Sequence, residues 1–221
     1  MKFAFTDISR DEGEPLVLGW KHMFVVLWRE VYTLIRANLC FLLFCLPVVT
    51  IPAALTALHG ICVDAVRGEK CSVMKIFLKT IRHQFIQSWG VFLVLALLEF
   101  VSAYGAWFYF RQGNVVMGIL GLFMTVVAVV TLLMIPYCFC MLARVDLPLK
   151  KVLKNAFLLV FLNLKFSICS GVISLALVLV QLLWWLYLIP LILLIGLALV
   201  AYFGSYFSLF GLQKFVLTEE L

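Results

Sequence analysis

Long apolar runs separated by short polar segments dominate this chain. The first run, residues 37–58, contains no charged side chain and is interrupted only by Pro47 and Pro52. A helix of about 20 apolar residues crosses the roughly 30 Å hydrocarbon core of a bilayer, and prolines limit helices. The run therefore predicts a membrane-embedded chain that reverses at a proline-framed turn.

The same pattern predicts an all-α fold, a polytopic transmembrane helical bundle with about six spans. A polar tail is expected at residues 1–15, followed by a helix whose first part is amphipathic. The spans are predicted at about 26–46, 53–66, 86–110, 115–142, 165–187 and 190–214. Turn-forming residues predict tight turns at Pro47–Pro52, Arg111–Asn114 and Tyr187–Pro190. Together they form a single integral membrane domain over residues 1–221.

Two segments, at about 69–84 and 147–164, carry apolar residues at helical spacing with lysines and arginines around them. Such segments are typical of basic amphipathic helices at a membrane interface. An even number of spans places both segments on one side, with both termini. Because basic loops concentrate on the cytoplasmic side, we expect a multi-pass cell-membrane protein with cytoplasmic termini, and the Pro47–Pro52 turn on the opposite side.

Composition supports a membrane environment. The chain is 66% hydrophobic and 13% charged, whereas a soluble domain has about 25% charged residues. The lipid bilayer is therefore the expected partner. The net charge of +6 is explained by the two basic segments, so no nucleic-acid partner is predicted. The seven cysteines are an odd number within mostly apolar runs, which favours buried free thiols over disulfides.

Five polar residues within the predicted spans form a candidate intramembrane polar site, because such groups are rare at bilayer depth. They are Arg36, Asn38, His59, Glu99 and Gln181. Arg36 and Glu99 are expected at similar depth and opposite charge, with Glu99 facing the bundle. Three interpretations are open. The first is a structural ion pair of Arg36 and Glu99 that fixes helix register, and the second is a solute or proton pathway lined by the five residues. In the third, the depth estimate is wrong and one of these side chains extends to the membrane interface.

Sequence motifs for common chemistry are absent. There is no phosphate-binding loop, no His-Glu-x-x-His zinc motif and no Gly-x-Ser-x-Gly nucleophile motif. We therefore predict no enzyme, no catalytic residue, no cofactor and no metal site. Asp64 and Arg67, three residues apart, are expected to form a pair on a helix surface.

Several short motifs between about residues 20 and 100 resemble those of a known family. They are Asn38, Leu46-Pro47-Val48-Val49-Thr50-Ile51, Ala54, Ala57-Leu58, Arg67-Gly68-Glu69 and the run from Phe77 to Ser88. These residues resemble the YesL-like family of small bacterial integral membrane proteins, whose biochemical function is unknown. The family-motif turn is represented here by Pro47, Thr50 and Pro52, and Thr50 is expected to satisfy backbone groups that the prolines free.

The resemblance implies a role beside carbohydrate uptake or utilisation systems, with a carbohydrate importer complex as the implied partner. This implication rests on analogy. The expected function is therefore that of an accessory inner-membrane protein of unknown biochemical activity. The alternative is an autonomous small-solute or proton-coupled transporter that uses the Glu99/Arg36 polar site.

Overall fold

The computed structural model describes residues 19–69, 72–144 and 147–216, with the side chains of 185, 186, 188 and 210–216 left aside. The predicted tail at 1–15, Lys70 and Cys71 lie outside this description. Helices make up nearly all of the described chain. They are α1 (Trp20–Arg29), α2 (Val31–Cys45), a 3₁₀ turn (Val48–Thr50), α3 (Ile51–Arg67), α4 (Val73–His83), α5 (Phe85–Phe110), α6 (Val115–Arg144), α7 (Leu149–Leu162), α8 (Leu164–Leu183), α9 (Trp185–Leu191), a π-helical segment (Ile192–Gly196) and α10 (Leu197–Val216).

The predicted all-α polytopic bundle is confirmed, and the described residues contain no strand. Within the described residues, five segments are long and apolar enough to cross a membrane: Val48–Arg67, Phe85–Phe110, Val115–Arg144, Leu164–Leu183 and Ile189–Leu209. The predicted span at 26–46 differs, because the helix breaks at Glu30 and leaves the shorter apolar α2.

The long helices define two ends of the molecule. Helices α5 and α6 form an antiparallel hairpin in which Gly105 faces Met124 and Gly121 faces the ring of Phe110. The rings of Phe166 at the start of α8 and Phe207 in α10 lie 6.5 Å apart. We call the end that holds the starts of α5 and α8 and the C-terminal part of α6 the basic end, because α4 and α7 lie there. The opposite end holds the Arg111–Asn114 turn.

Helix α3 lies across the basic end rather than alongside the long helices. The Trp89 indole nitrogen donates to the Val49 carbonyl at 2.8 Å, and Asp64 contacts Arg144. Trp89 and Arg144 both belong to the basic end of the α5–α6 hairpin. Val49 lies in the 3₁₀ turn that leads into α3, and the continuous helical segment Val48–Arg67 separates it from Asp64 by about 20 Å. A helix parallel to α5 would place them at different depths, so α3 must run across.

The core surrounds α3. Its residues from Pro52 to Arg67 are buried with the exception of half-buried Leu55. A helix that is buried on every side belongs to the interior of a bundle. Gly60 permits a close crossing, because a Cβ at this position would lie 3.1 Å from the Cβ of Ala143.

The segment made of α1 and α2 starts and ends at the basic end of the molecule. The hydroxyls of Tyr202 and Tyr206 donate to the carbonyls of Met23 and Gly19 at 2.8 and 3.0 Å, which holds α1 against the first half of α10. The Trp20 ring at the start of α1 contacts Phe207, which lies near Phe166 at the basic end. The break at Glu30 lets the chain return, and α2 then runs into the Pro47–Pro52 turn. The expectation that this turn lies opposite the basic segments is therefore wrong, because Val49 of the turn contacts Trp89.

The two predicted amphipathic segments form helices that also lie across the basic end. Helix α4 buries Val73 and Phe77 and stacks Phe77 on Phe44 with 5.3 Å between ring centroids. Helix α7 bridges two long helices. At its start Leu149 packs near Gly90 of α5, and near its end the Val160 carbonyl accepts a hydrogen bond from Ser167 of α8 at 3.4 Å.

The predicted Tyr187–Pro190 turn is displaced along the chain. The break between the last long helices occurs at Trp184, and both Tyr187 and Pro190 lie inside α9. Proline is tolerated within membrane helices where other groups satisfy the freed backbone. Here the π-helical segment begins two residues after Pro190, so the irregularity occurs within the helix and not at the turn.

Candidate functional site

Asn38 is fully buried and binds the irregular part of the last helix. Its amide nitrogen donates to the carbonyls of Ile192 and Leu193 at 3.1 and 2.7 Å, and its amide oxygen accepts from the backbone nitrogen of Ala198 at 2.9 Å. A π-helical turn shifts the backbone pairing of a helix and is often found at functional sites. The carboxamide thus supplies both the donor and the acceptor that this segment needs.

Gln181 contacts the same segment from α8. Its amide nitrogen donates to the carbonyl of Gly196 at 3.1 Å, and a Cβ at position 196 would lie 3.3 Å from the Gln181 amide. Two of the predicted site residues, Asn38 and Gln181, therefore converge on Ile192–Gly196 from two different helices. Both bind backbone groups of the segment.

His59 belongs to a second, separate polar cluster. Its Nδ1 lies 2.9 Å from the Ser205 hydroxyl, and the Cys140 thiol donates to that hydroxyl at 3.4 Å. The His59 ring stacks on Phe139 at 5.8 Å. None of the three polar side chains is more than 6% exposed. The cluster joins α3, α6 and α10, and its burial leaves the Ser205 hydroxyl without a route for a substrate from outside.

Cys140 and Ser205 were absent from the sequence-based site. Cys140 was interpreted as a small apolar residue, and Ser205 lies in an apolar run without a local motif. No signal in the local sequence links them to His59, because the three residues are far apart in the chain.

Arg36 and Glu99 do not form the predicted ion pair. The Arg36 guanidinium lies 4.7 Å from the ring centroid of Tyr32 on its own helix. The Glu99 Oε2 atom is buried and has no hydrogen-bond partner among the described residues. The predicted equal depth counts Arg36 from Pro47 and Glu99 from Arg111 as if both lay at one face, but the Pro47–Pro52 turn lies at the basic end and Arg111 at the opposite end. In addition, α3 packs between α2 and α5. The prediction of a structural pair is therefore wrong.

An ionic cluster that the sequence did not predict lies where α3 ends. Arg144 at the end of α6 contacts Asp64 and approaches Glu69 to 4.0 Å, and Arg67 lies 3.8 Å from Glu69. Asp64 and Arg67 are each only 7% exposed. The expected surface pair of Asp64 with Arg67 is therefore wrong: Asp64 is buried and pairs across helices with Arg144.

The Pro47–Pro52 turn is stabilised by hydrogen bonds from the Thr50 side chain to backbone carbonyls. The Thr50 hydroxyl donates to the carbonyl of Pro47 at 2.7 Å and also contacts the carbonyl of Phe44. The expectation that Thr50 satisfies backbone groups at this turn is confirmed. Pro52 lies in the first turn of α3, where a missing backbone donor costs little.

Comparison with known protein families gives a match to part of the chain. Residues 34–106 match the model of a family described as a protein of unknown function, DUF624. The match covers less than half of the chain and runs from α2 through most of α5. It includes the Pro47–Pro52 turn, the buried α3 and the ionic cluster residues Asp64 and Glu69. No curated protein and no solved structure matches the chain.

The hydrogen bonds of the buried polar residues limit what these residues can bind. Asn38, Gln181 and His59 each bind a group of the protein itself, so their polarity stabilises an irregular helix and a helix crossing. Within the described ranges, no group of three or more His, Cys, Asp or Glu side chains is placed to hold a metal ion. Glu99, inside a candidate span, has a buried carboxylate oxygen without a hydrogen-bond partner and, unlike Asp64, forms no ion pair among the described residues.

Proposed function

We propose that this chain is a bacterial membrane protein that serves as an accessory component of a carbohydrate uptake or utilisation system, with no catalytic activity of its own. The observation that carries the proposal is that the central polar side chains are used in hydrogen bonds within the protein: Asn38, Gln181 and His59 all bind neighbouring helices. The interior is therefore used for assembly rather than for binding a solute.

Two further observations support an accessory role. The motifs between about residues 20 and 100 resemble those of the YesL-like family, and this resemblance implies a role beside carbohydrate uptake. In addition, α5, α6 and α8 keep broad exposed apolar faces, with Leu97 and Phe100 exposed by 64% and 69%. Such faces contact lipid or the helices of another membrane protein.

The accessory role is tested by crosslinking within native membranes. A photoreactive residue at exposed Leu97 is expected to form adducts with the membrane subunits of a carbohydrate importer. The same residue at Val91, which is fully buried in the same helix, serves as the matched control and should form none. Adducts at Leu97 with lipid alone, under conditions in which the importer is expressed, would argue against the proposal.

A second candidate function rests on Glu99. An ionisable side chain with an unpartnered buried oxygen inside a candidate span is a candidate proton or solute site. If the chain is an autonomous transporter, reconstituted vesicles should take up solute, and Glu99→Gln should abolish uptake while the protein remains monodisperse. Uptake that is unchanged in this variant, or absent from the parent chain, removes this candidate.

A further inference from the structure

Six exposed basic residues form two rows at one end of the molecule. On α4, Lys75, Lys79 and Arg82 follow one another at i, i+4 and i+7 and are exposed. This spacing places them on one face of the helix, opposite the buried Val73 and Phe77.

Helix α7 carries the second row. Lys150, Lys151 and Lys154 are exposed in its first half. Its second half exposes Phe157 and Phe161 by 49% and 50%, with their rings 4.8 Å apart. The helix thus changes from cationic to aromatic along its length.

The two rows belong to one surface because both helices lie across the basic end. Helix α4 runs directly into the start of α5, where the Ser88 backbone nitrogen bonds to the Gln84 carbonyl. Helix α7 begins with Leu149 beside Gly90, only two residues further along α5. Both helices therefore flank the first turns of the same long helix.

The six cations have no acidic partners within the described part of the chain. None of them takes part in the ion pairs found there. Of the described acids at this end, Asp64 and Glu69 are engaged by Arg67 and Arg144. Among the described residues, the surface therefore presents positive charge without an acidic partner, next to apolar side chains.

We infer that α4 and α7 together form a binding surface for the anionic phosphate headgroups of phospholipids. The lysine rows contact the headgroup phosphates, while exposed Met74 and Leu78 on α4 and Phe157 and Phe161 on α7 enter the adjacent acyl region. Amphipathic helices with this division of charge and apolar surface bind anionic membranes. This inference does not depend on the proposed accessory role.

The test measures lipid retention by the purified full chain in neutral detergent. Phosphatidylglycerol or phosphatidylcholine is added, and bound lipid is counted by native mass spectrometry. The parent should retain phosphatidylglycerol selectively. Combining Lys75→Gln, Lys79→Gln, Lys150→Gln and Lys154→Gln should reduce that selectivity by roughly tenfold, because each cation near the surface contributes to anionic lipid binding.

Matched controls distinguish lipid binding at this surface from an effect of the protein's total charge. The pairs Lys75→Gln/Lys79→Gln and Lys150→Gln/Lys154→Gln should each weaken retention, whereas Arg36→Gln/Arg111→Gln removes two exposed charges elsewhere and should not. All substituted side chains are exposed, and monodisperse elution verifies folding. Inorganic phosphate alone should not displace the lipid.

Three outcomes would overturn the inference. Equal loss of selectivity in the Arg36/Arg111 control would show a general charge effect. Displacement of lipid by free phosphate would indicate an anion site instead of a lipid surface. Unchanged lipid selectivity in the four-residue variant, together with loss of an importer subunit that the parent retains, would assign the surface to an acidic protein partner.

Discussion

At the scale of single residues, Asn38 shows how one amide can stabilise an irregular helix. Its side chain both donates to and accepts from the backbone around the π-helical segment. Each buried backbone group left without a partner costs about 1–3 kcal/mol. Polarity at this position is therefore best explained by the backbone groups that it satisfies.

We expect Asn38→Leu to lower the thermal unfolding temperature in detergent markedly. Gln181→Leu should have a smaller effect, because Gln181 makes one hydrogen bond to the segment. Gln112→Leu, in the exposed turn at the opposite end, is the control and should leave the unfolding temperature nearly unchanged. If Asn38→Leu unfolds at the same temperature as the control, the amide is not required for the π-helical segment.

A second residue-scale prediction concerns the crossing of α3 and α6. A Cβ added at Gly60 would lie 3.1 Å from the Cβ of Ala143, which is fixed to its backbone and cannot rotate away. Overpacking of this kind costs about 1–3 kcal/mol. Gly60→Ala should therefore lower the unfolding temperature.

Gly118→Ala is the matched control for that crossing. No atom outside its own helix turn lies within 4 Å of the added Cβ, and alanine favours a helix over glycine by about 1 kcal/mol. This variant should be neutral or slightly stabilised in the same assay. An equal loss in both variants would mean that the α3–α6 crossing does not depend on close approach.

At the scale of elements, the ionic cluster joins α3 to α6. Breaking a buried ion pair by removing one partner costs about 3–5 kcal/mol, because the remaining charge is left uncompensated. Arg144→Gln and Asp64→Asn should therefore each destabilise the protein strongly. The double variant should lose much less than the sum of the two, because neither charge remains. Unfolding in a denaturing detergent series, analysed as a double-mutant cycle, measures this coupling.

One result of the double-mutant cycle would contradict the predicted coupling of Arg144 and Asp64. Strictly additive losses would show that Arg144 and Asp64 act independently, and the contact would then not hold the two helices together. Lys150→Gln, an exposed cation near the same end, tests for a general effect of charge and should change stability little.

The helices themselves were largely predictable from the sequence, whereas their orientation was not. Apolar runs located α5 and α6 and the amphipathic pattern located α4 and α7, because these features are local. The path of α2 and α3 was predicted wrongly. Residues 37–58 have the hydropathy of a spanning hairpin, but hydropathy does not distinguish a helix that faces lipid from one that is buried by protein, as α3 is.

The candidate site was predictable to a similar degree. Asn38, His59 and Gln181 were recognised because polar side chains in apolar runs need partners. Their actual partners, such as Ser205 and the Ile192 carbonyl, are distant in the chain and could not be identified. The Arg36–Glu99 pair failed for a related reason: depths counted along two helices are comparable only if both counts start at the same face, and the Pro47–Pro52 turn lies at the basic end.

At the scale of the whole molecule, the two ends differ in composition and in architecture. The basic end contains the transverse helices α3, α4 and α7 together with the Pro47–Pro52 turn. The opposite end consists of the Arg111–Asn114 turn and the break at Trp184. Helix α5, at 26 residues, is about 39 Å long, which matches a bilayer with its interfacial regions. We therefore expect the two ends to face opposite sides of the membrane.

This arrangement predicts where the Pro47–Pro52 turn is accessible. Single cysteines at Val48, Lys79 and Asn114 are treated with a membrane-impermeant maleimide in sealed vesicles of each orientation. Because Val49 contacts Trp89 at the basic end, Val48→Cys should react from the same side as Lys79→Cys. Asn114→Cys should react from the other side. Leu46→Cys, at a position that is 77% exposed, gives a second probe of the turn.

The parent chain with Cys71 replaced by serine provides the background for this experiment, because the six cysteines that remain are buried or half-buried and should react slowly. If the turn instead reacts from the side of Asn114→Cys, then α2 and α3 cross the membrane as a hairpin, and their position across the basic end cannot hold in the bilayer. Reaction from the side of Lys79→Cys would mean that a segment with spanning hydropathy enters and leaves by one face. The polar groups on α2 and α3 would then be required for packing this segment against α10, and not for crossing the lipid.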